Sequence, residues 1–141
     1  MSTRSTIRFT RKRDDEYISL VNIYQHFDGY IDGVGHELAR WLCKKKLVNG
    51  LPLNYDQNMA NGIGCLAAQF IRDFKEEPGS LYINSLDNIS DEYHYEVVIN
   101  DSFRDAVPVN AVTEIIVLCY EEEIFRGTPE ELLEFKEEEE N

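Results

Sequence analysis

Cations are scarce in this chain: 14 Lys and Arg stand against 27 Asp and Glu in 141 residues, a formal charge of −13. Such a surplus repels phosphate backbones, so simple nucleic-acid binding is disfavoured. Long apolar runs are also missing. No stretch approaches the roughly 18 residues a membrane helix requires, and Met1–Arg13 has no apolar core, so no membrane span and no signal peptide are expected. Cysteine is limited to Cys43, Cys65 and Cys119, with no CxxC pair. Each lies in an apolar stretch, which predicts buried free thiols and a reducing, cytoplasmic setting rather than a disulfide framework.

What is present reads as one soluble globular domain over 1–141, with 43% apolar and 29% charged residues. The charge is polarised. Met1–Arg13 holds five basic residues and no acidic one, whereas Glu121–Asn141 holds ten Glu against Arg126 and Lys136. The acidic C-terminal end, 136–141, is expected to fray.

Periodicity places the elements. Ile7 and Phe9 alternate with Thr6, Arg8 and Thr10, giving a strand over Ser5–Thr10, and Glu16–Phe27 follows it as the second arm of a hairpin. Asp28-Gly29-Tyr30 closes that strand, with Gly29 free to take positive φ. Val34, Leu38, Trp41 and Leu42 make one stripe of a helix over Gly33–Lys46, with Asp32 as its N-cap. Val48–Asp56 reads as a loop, and Asn58–Glu77 as a second helix stopped by Pro78-Gly79. Gly62 and Gly64 are expected to let that helix pack closely. Ser80–Ser85, Glu92–Asn100 and Ala111–Glu121 read as strands, with turns at Asp87-Asn88 and Asp101–Pro108. Thr128-Pro129-Glu130-Glu131 has the capping-box pattern of a helix start. The order ββ-αα-βββ-α predicts an α+β fold, an antiparallel sheet of about five strands with helices on one face.

Tyr24–Glu37 is the segment richest in chemistry, with two of the three histidines, three carboxylates and three glycines. His26 and Asp28 would share a face of an extended chain, and Asp32 and His36 would stack one turn apart on a helix. Imidazole and carboxylate together suit Zn²⁺ or Mn²⁺, making His26, Asp28, Asp32 and His36 the candidate site. No HExxH, HxH or CxxC spacing supports that reading. The competing account is structural: His26 ends a strand, Asp28 and Asp32 serve turn and cap, His36 lies on an exposed helix face, and Gly29, Gly33 and Gly35 shape the backbone. Gly33-Val34-Gly35 lacks the rest of a phosphate loop, and Asp28, Asp32 and Glu37 would repel an anion. No cofactor is therefore expected. His94 falls on the polar side of its strand beside Glu96, where it is expected to be exposed.

The string Tyr24-Gln25-His26-Phe27-Asp28-Gly29-Tyr30, followed by Gly33-Val34-Gly35 and Leu38-Ala39, resembles a recurring motif of small uncharacterised proteins from phages, other viruses and prokaryotes. Phe125-Arg126-Gly127-Thr128-Pro129-Glu130-Glu131 is similar to that group's ending, whereas Ile31 stands where the common form has Pro. The resemblance implies a phage or viral context, with host cytoplasm as the location, and carries no activity. Three functional readings follow. The first is a non-enzymatic interaction domain whose acidic surface engages a protein partner. The second is a small metal-dependent enzyme or metal-binding domain using the His26–His36 segment. The third is a homo-oligomeric module paired through a strand edge or a tyrosine-bearing face.

Overall fold

Alternation along the N-terminal arms does build a hairpin. In the computed structural model, which describes residues 3–48, 50–100 and 112–137, β1 (Ser5–Arg13) pairs antiparallel with β2 (Glu16–Gln25) around a turn where Asp14 takes φ +55°. A single π-helical turn, Ile31–Gly35, leads into α1 (His36–Cys43). Then come β3 (Lys46–Val48), β4 (Met59–Asn61) and α2 (Gly62–Phe74). The C-terminal half supplies β5 (Leu81–Asn84), β6 (Tyr93–Asn100), β7 (Val112–Cys119), β8 (Glu122–Gly127) and α3 (Pro129–Glu134).

The fold is α+β, but its sheet is neither five-stranded nor wholly antiparallel. Six strands lie in the order β5-β2-β1-β6-β7-β8, and the central pair, β1 and β6, runs parallel. Two antiparallel triplets are thus joined at a parallel seam. β3 and β4 form a separate parallel pair of three residues each, too short for alternation to reveal. β8 escaped the sequence reading because its hairpin lacks the usual Asn-Gly. Tyr120 and Glu121 take φ +49° and +68° instead, the left-handed pair that a tight two-residue hairpin requires. Asp101–Pro108, expected as a turn, lies outside the described residues.

All helices cover one face. Ile7, Phe9, Ile23, Tyr95, Val97, Ile115 and Val117 point into it and are buried with Leu38, Leu66, Phe70 and Leu132 of the helices. Phe70 is the hub of an aromatic cluster. Its ring lies 5.5 Å from Phe9 on β1, 5.5 Å from Trp41 on α1 and 4.2 Å from Phe74. Trp41 satisfies its indole N–H on Asp73, 2.8 Å away. At the opposite end Phe125 of β8 meets Phe135, and the predicted capping box of α3 is complete: Glu131 N–H donates to Thr128 Oγ1, and Thr128 N–H to the Glu131 carboxylate.

Two glycine expectations are corrected. Gly29 is needed for closeness rather than for positive φ, which belongs to Asp28 at +58°. A Cβ on Gly29 would lie 2.8 Å from both the Arg4 carbonyl oxygen and Ser5 Cβ. Gly62 and Gly64 do not serve tight packing, since nothing lies within 4 Å of a Cβ at either; Gly62 instead takes φ +84° where α2 begins. Gly29→Ala should therefore destabilise by about 1–3 kcal/mol in urea unfolding, because the neighbours it meets are β1 itself. Glu121→Gly should act oppositely and raise stability by roughly 1 kcal/mol, relieving a left-handed residue in the β7–β8 turn.

Candidate functional site

The chain from Tyr24 to Glu37 leaves the sheet, turns sharply and enters α1, and its polar residues go to different neighbours. His26 Nδ1 meets the Tyr24 hydroxyl at 2.8 Å, and its ring packs edge-on to Phe27. Asp28 sits in the left-handed turn; its carbonyl accepts from Val34 N–H at 2.9 Å, and its carboxylate faces the Tyr30 hydroxyl at 3.4 Å. Asp32 caps nothing, contrary to expectation. The α1 helix begins at His36 without a side-chain cap, and Asp32 is exposed, 3.7 Å from His36 Nδ1. His36 turns its Nε2 to the Phe135 carbonyl, 3.1 Å away at the end of α3. The four candidate residues are therefore not brought to a common point, and no group of three or more His, Cys, Asp or Glu among the described residues could hold a metal ion.

What the segment does build is a seat for β6. The Tyr95 hydroxyl donates to the Gly29 carbonyl at 2.7 Å, and Gly35 lies so close that a Cβ there would be 3.1 Å from the same hydroxyl. Gly33 is needed because a Cβ would collide with the Asp28 carbonyl. The C-terminal strap closes over the same turn. Glu137, expected to fray, accepts from Ile31 N–H at 3.1 Å and from the Tyr93 hydroxyl at 2.7 Å. Burial, and then this carboxylate, push ionisation of the Tyr93 hydroxyl far above the usual range. Residues 138–141 lie outside the described residues.

A polar constellation that sequence reasoning missed lies on the other face of the sheet. The parallel register sets Thr6 beside His94 and Arg8 beside Glu96. Thr6 Oγ1 and His94 Nδ1 are 2.7 Å apart, and Ser90 N–H also donates to Thr6 Oγ1. Thr6 Oγ1 thus links the Ser90 amide to the His94 ring, whose Nε2 lies 3.4 Å from the Glu96 carboxylate. Arg8 grips Glu96 from the other side, with Nε 2.8 Å from both carboxylate oxygens, and sends another N–H to the Leu86 carbonyl. Burial raises the pKa of the Glu96 carboxyl, but the His94 ring and the Arg8 guanidinium outweigh it and hold the group below the usual glutamate range. Arg8 is shifted up in turn, chiefly by its bond to Glu96.

His94 is only 1% exposed, against the expectation of an exposed imidazole. Its cover follows from topology. β5 and β6 point the same way with β2 and β1 between them, so residues 85–92 must cross about 14 Å of sheet. They cross on the face away from the helices. Asn22 fastens them there, donating from Nδ2 to the Ser85 and Asn88 carbonyls at 2.9 Å each. Beside this crossing lies a polar cavity of about 270 Å³, walled by Arg4, Thr6, Tyr24, Asn84, Asn88 and Ser90 among others. Its side chains are engaged with the crossing segment itself: Asn84 donates to the Asn88 carbonyl, and Arg4 is bound to Glu92 at 2.8 Å. The hydroxyl–imidazole–carboxylate row thus acts as the rivet of a loop.

The cysteines also depart from expectation in part. All three are free, yet Cys43 is exposed, while Cys65 and Cys119 are half-buried. No helix among the described residues is long and apolar enough to cross a membrane. Comparison with protein-family models, with curated proteins and with solved structures finds no match to this chain.

The rivet makes a pH-dependent prediction. Arg8→Ala should cost about 3 kcal/mol near neutrality, because it strands a part-buried carboxylate. Glu96→Gln should cost less, about 1–2 kcal/mol. The Glu96 pKa is depressed in the folded state, so its stabilisation is present above the ordinary glutamate value and lost as pH falls through the folded one. Urea midpoints of wild type and Glu96→Gln should accordingly converge below pH 4 or so.

Proposed function

We propose that this protein is a non-enzymatic interaction domain, of phage or viral context, that binds a protein partner by extending its own sheet. The observation that carries the reading is the edge formed by β5 and the overhang of β2. β5 pairs only with Asn22–Gln25, so among the described residues Glu16–Val21 has a partner on the β1 side alone. Along this edge Tyr17 is 61% exposed, Tyr82 52% and Ile83 64%, with Ile18 and Leu20 also open to water. An unpaired strand offers main-chain donors and acceptors to an incoming strand, and alternate apolar side chains supply the contact area. Natural proteins blunt such edges with lysine, proline or cover; here Lys75 guards only the start of β5, its ammonium 3.0 Å from the Leu81 carbonyl and 5.8 Å from the centre of the Tyr82 ring, while Glu16–Val21 carries a charge only at the hairpin tip.

The chain's charge of −13 adds selectivity. An acidic body favours a basic partner, raises the encounter rate and makes binding salt-sensitive. The free thiols of Cys43, Cys65 and Cys119 suit a reducing compartment, which is host cytoplasm in a viral setting. Self-pairing of the same edge would give the homo-oligomeric reading, opposed by the mutual repulsion of two acidic copies.

Ile83→Lys tests the proposal, because residue 83 points into solvent and its replacement leaves the core intact. Partner capture by this variant should fall by about tenfold or more relative to wild type, while its thermal melt stays unchanged. Capture at wild-type level would overturn the edge reading. Sedimentation of wild type above a monomer's mass, abolished by the same change, would favour self-pairing instead.

A further inference from the structure

The connection between β3 and β4 carries three large apolar side chains within five residues, and water reaches all of them: Leu51 at 50%, Tyr55 at 54% and Leu53 entirely. Single exposed leucines are ordinary, but three such side chains gathered on one excursion are not. The excursion is fastened at its base. Gly50 N–H donates to Asn61 Oδ1 at 2.8 Å, and Lys46 N–H to the Asn58 carbonyl at 2.9 Å. Asp56 closes its return, accepting from Asn58 N–H on its carboxylate and from Met59 N–H on its carbonyl. Because β3 and β4 run parallel, the loop is anchored at both ends of that pair, and its apolar side chains are left in water between the two anchors.

The charge beside them differs from that of the molecule as a whole: Lys44 through Asn58 contains three lysines and one acidic residue, Asp56, in a chain whose sum is −13. Lys44 and Lys46 are exposed. Lys45 folds back, its ammonium 4.7 Å from the centre of the Trp41 ring and 3.9 Å from Asp73. An exposed apolar loop that follows two exposed lysines in the chain complements a fluid surface of anionic headgroups over hydrocarbon, which needs no matching pocket.

We propose that the 50–58 loop docks the protein on an anionic lipid bilayer. Leu51 and Leu53 enter the acyl boundary, Tyr55 lies at headgroup level, and Lys44 and Lys46 meet the lipid phosphates. The chain lies on the membrane and does not span it. Two leucines and two lysines give reversible attachment, and the acidic remainder of the surface keeps the body off the bilayer, which orients the molecule with this loop down. The proposal is independent of the β5–β2 edge.

Flotation of the full chain with phosphatidylcholine vesicles, with and without about one-third phosphatidylserine, is the test. Wild type should float with the anionic vesicles at low salt and remain below with the neutral ones. Leu53→Ser should reduce the floated fraction at limiting lipid by about tenfold, and Lys44→Glu with Lys46→Glu should reduce it at least as far. All three side chains are exposed, so circular dichroism of each variant should match wild type. Failure of wild type to float, equal flotation with both vesicle types, or undiminished flotation of Leu53→Ser would each overturn the proposal. The first would point to a loop that serves a protein pocket instead, the second to insertion without headgroup charge, and the third to attachment through another surface.

Discussion

The parallel pairing of β1 with β6 is the contact on which the rest of the molecule is arranged. It joins two antiparallel triplets into one six-stranded sheet, and its register decides what faces what on both sides. On the helical side it puts Phe9 beside Val97 and Ile7 beside Tyr95, at the centre of the buried cluster. On the other side the same register puts Thr6 beside His94 and Arg8 beside Glu96. A slip of one residue would send every one of these side chains to the wrong face, so apolar burial and polar pairing enforce the same alignment.

That alignment also explains why a histidine and a glutamate sit where water is scarce. Parallel neighbours cannot be joined by a tight turn, so the chain must travel to bring β6 alongside β1. Its last leg crosses the face away from the helices, where its backbone carbonyls need partners. Asn22 and Arg8 answer three of these carbonyls, at Ser85, Asn88 and Leu86, and Thr6 receives the Ser90 amide. The polar row thus supplies partners for the crossing backbone, although His94 Nε2 and Asn22 Oδ1 are themselves buried without a hydrogen bond.

Local chemistry was readable from the sequence, and long-range chemistry was not. The β1–β2 hairpin, both main helices and the capping box at Thr128 all follow from alternation, apolar stripes and short-range capping, which act within a few residues. The strand β8 was hidden by a turn built from Tyr120 and Glu121, residue types that carry no turn signal. The Tyr24–Glu37 segment concentrates polar chemistry in the sequence, yet in the fold its residues serve Tyr95, Tyr24 and Phe135 separately. Conversely, the Thr6–His94–Glu96–Arg8 row joins residues 88 apart in the chain. Only the pairing of β1 with β6 brings them together, and no spacing rule within either strand encodes that.

The same seam has a kinetic meaning. The first strand emerges with its hairpin partner at once, but its other neighbour follows 88 residues later, with both main helices in between. Closing so large a loop carries an entropic penalty before any contact rewards it, so the search for that registry should govern how fast the chain reaches its native topology. Until then the inner edge of β1 is a bare template, and a newly made chain is at its most vulnerable to pairing with the wrong neighbour.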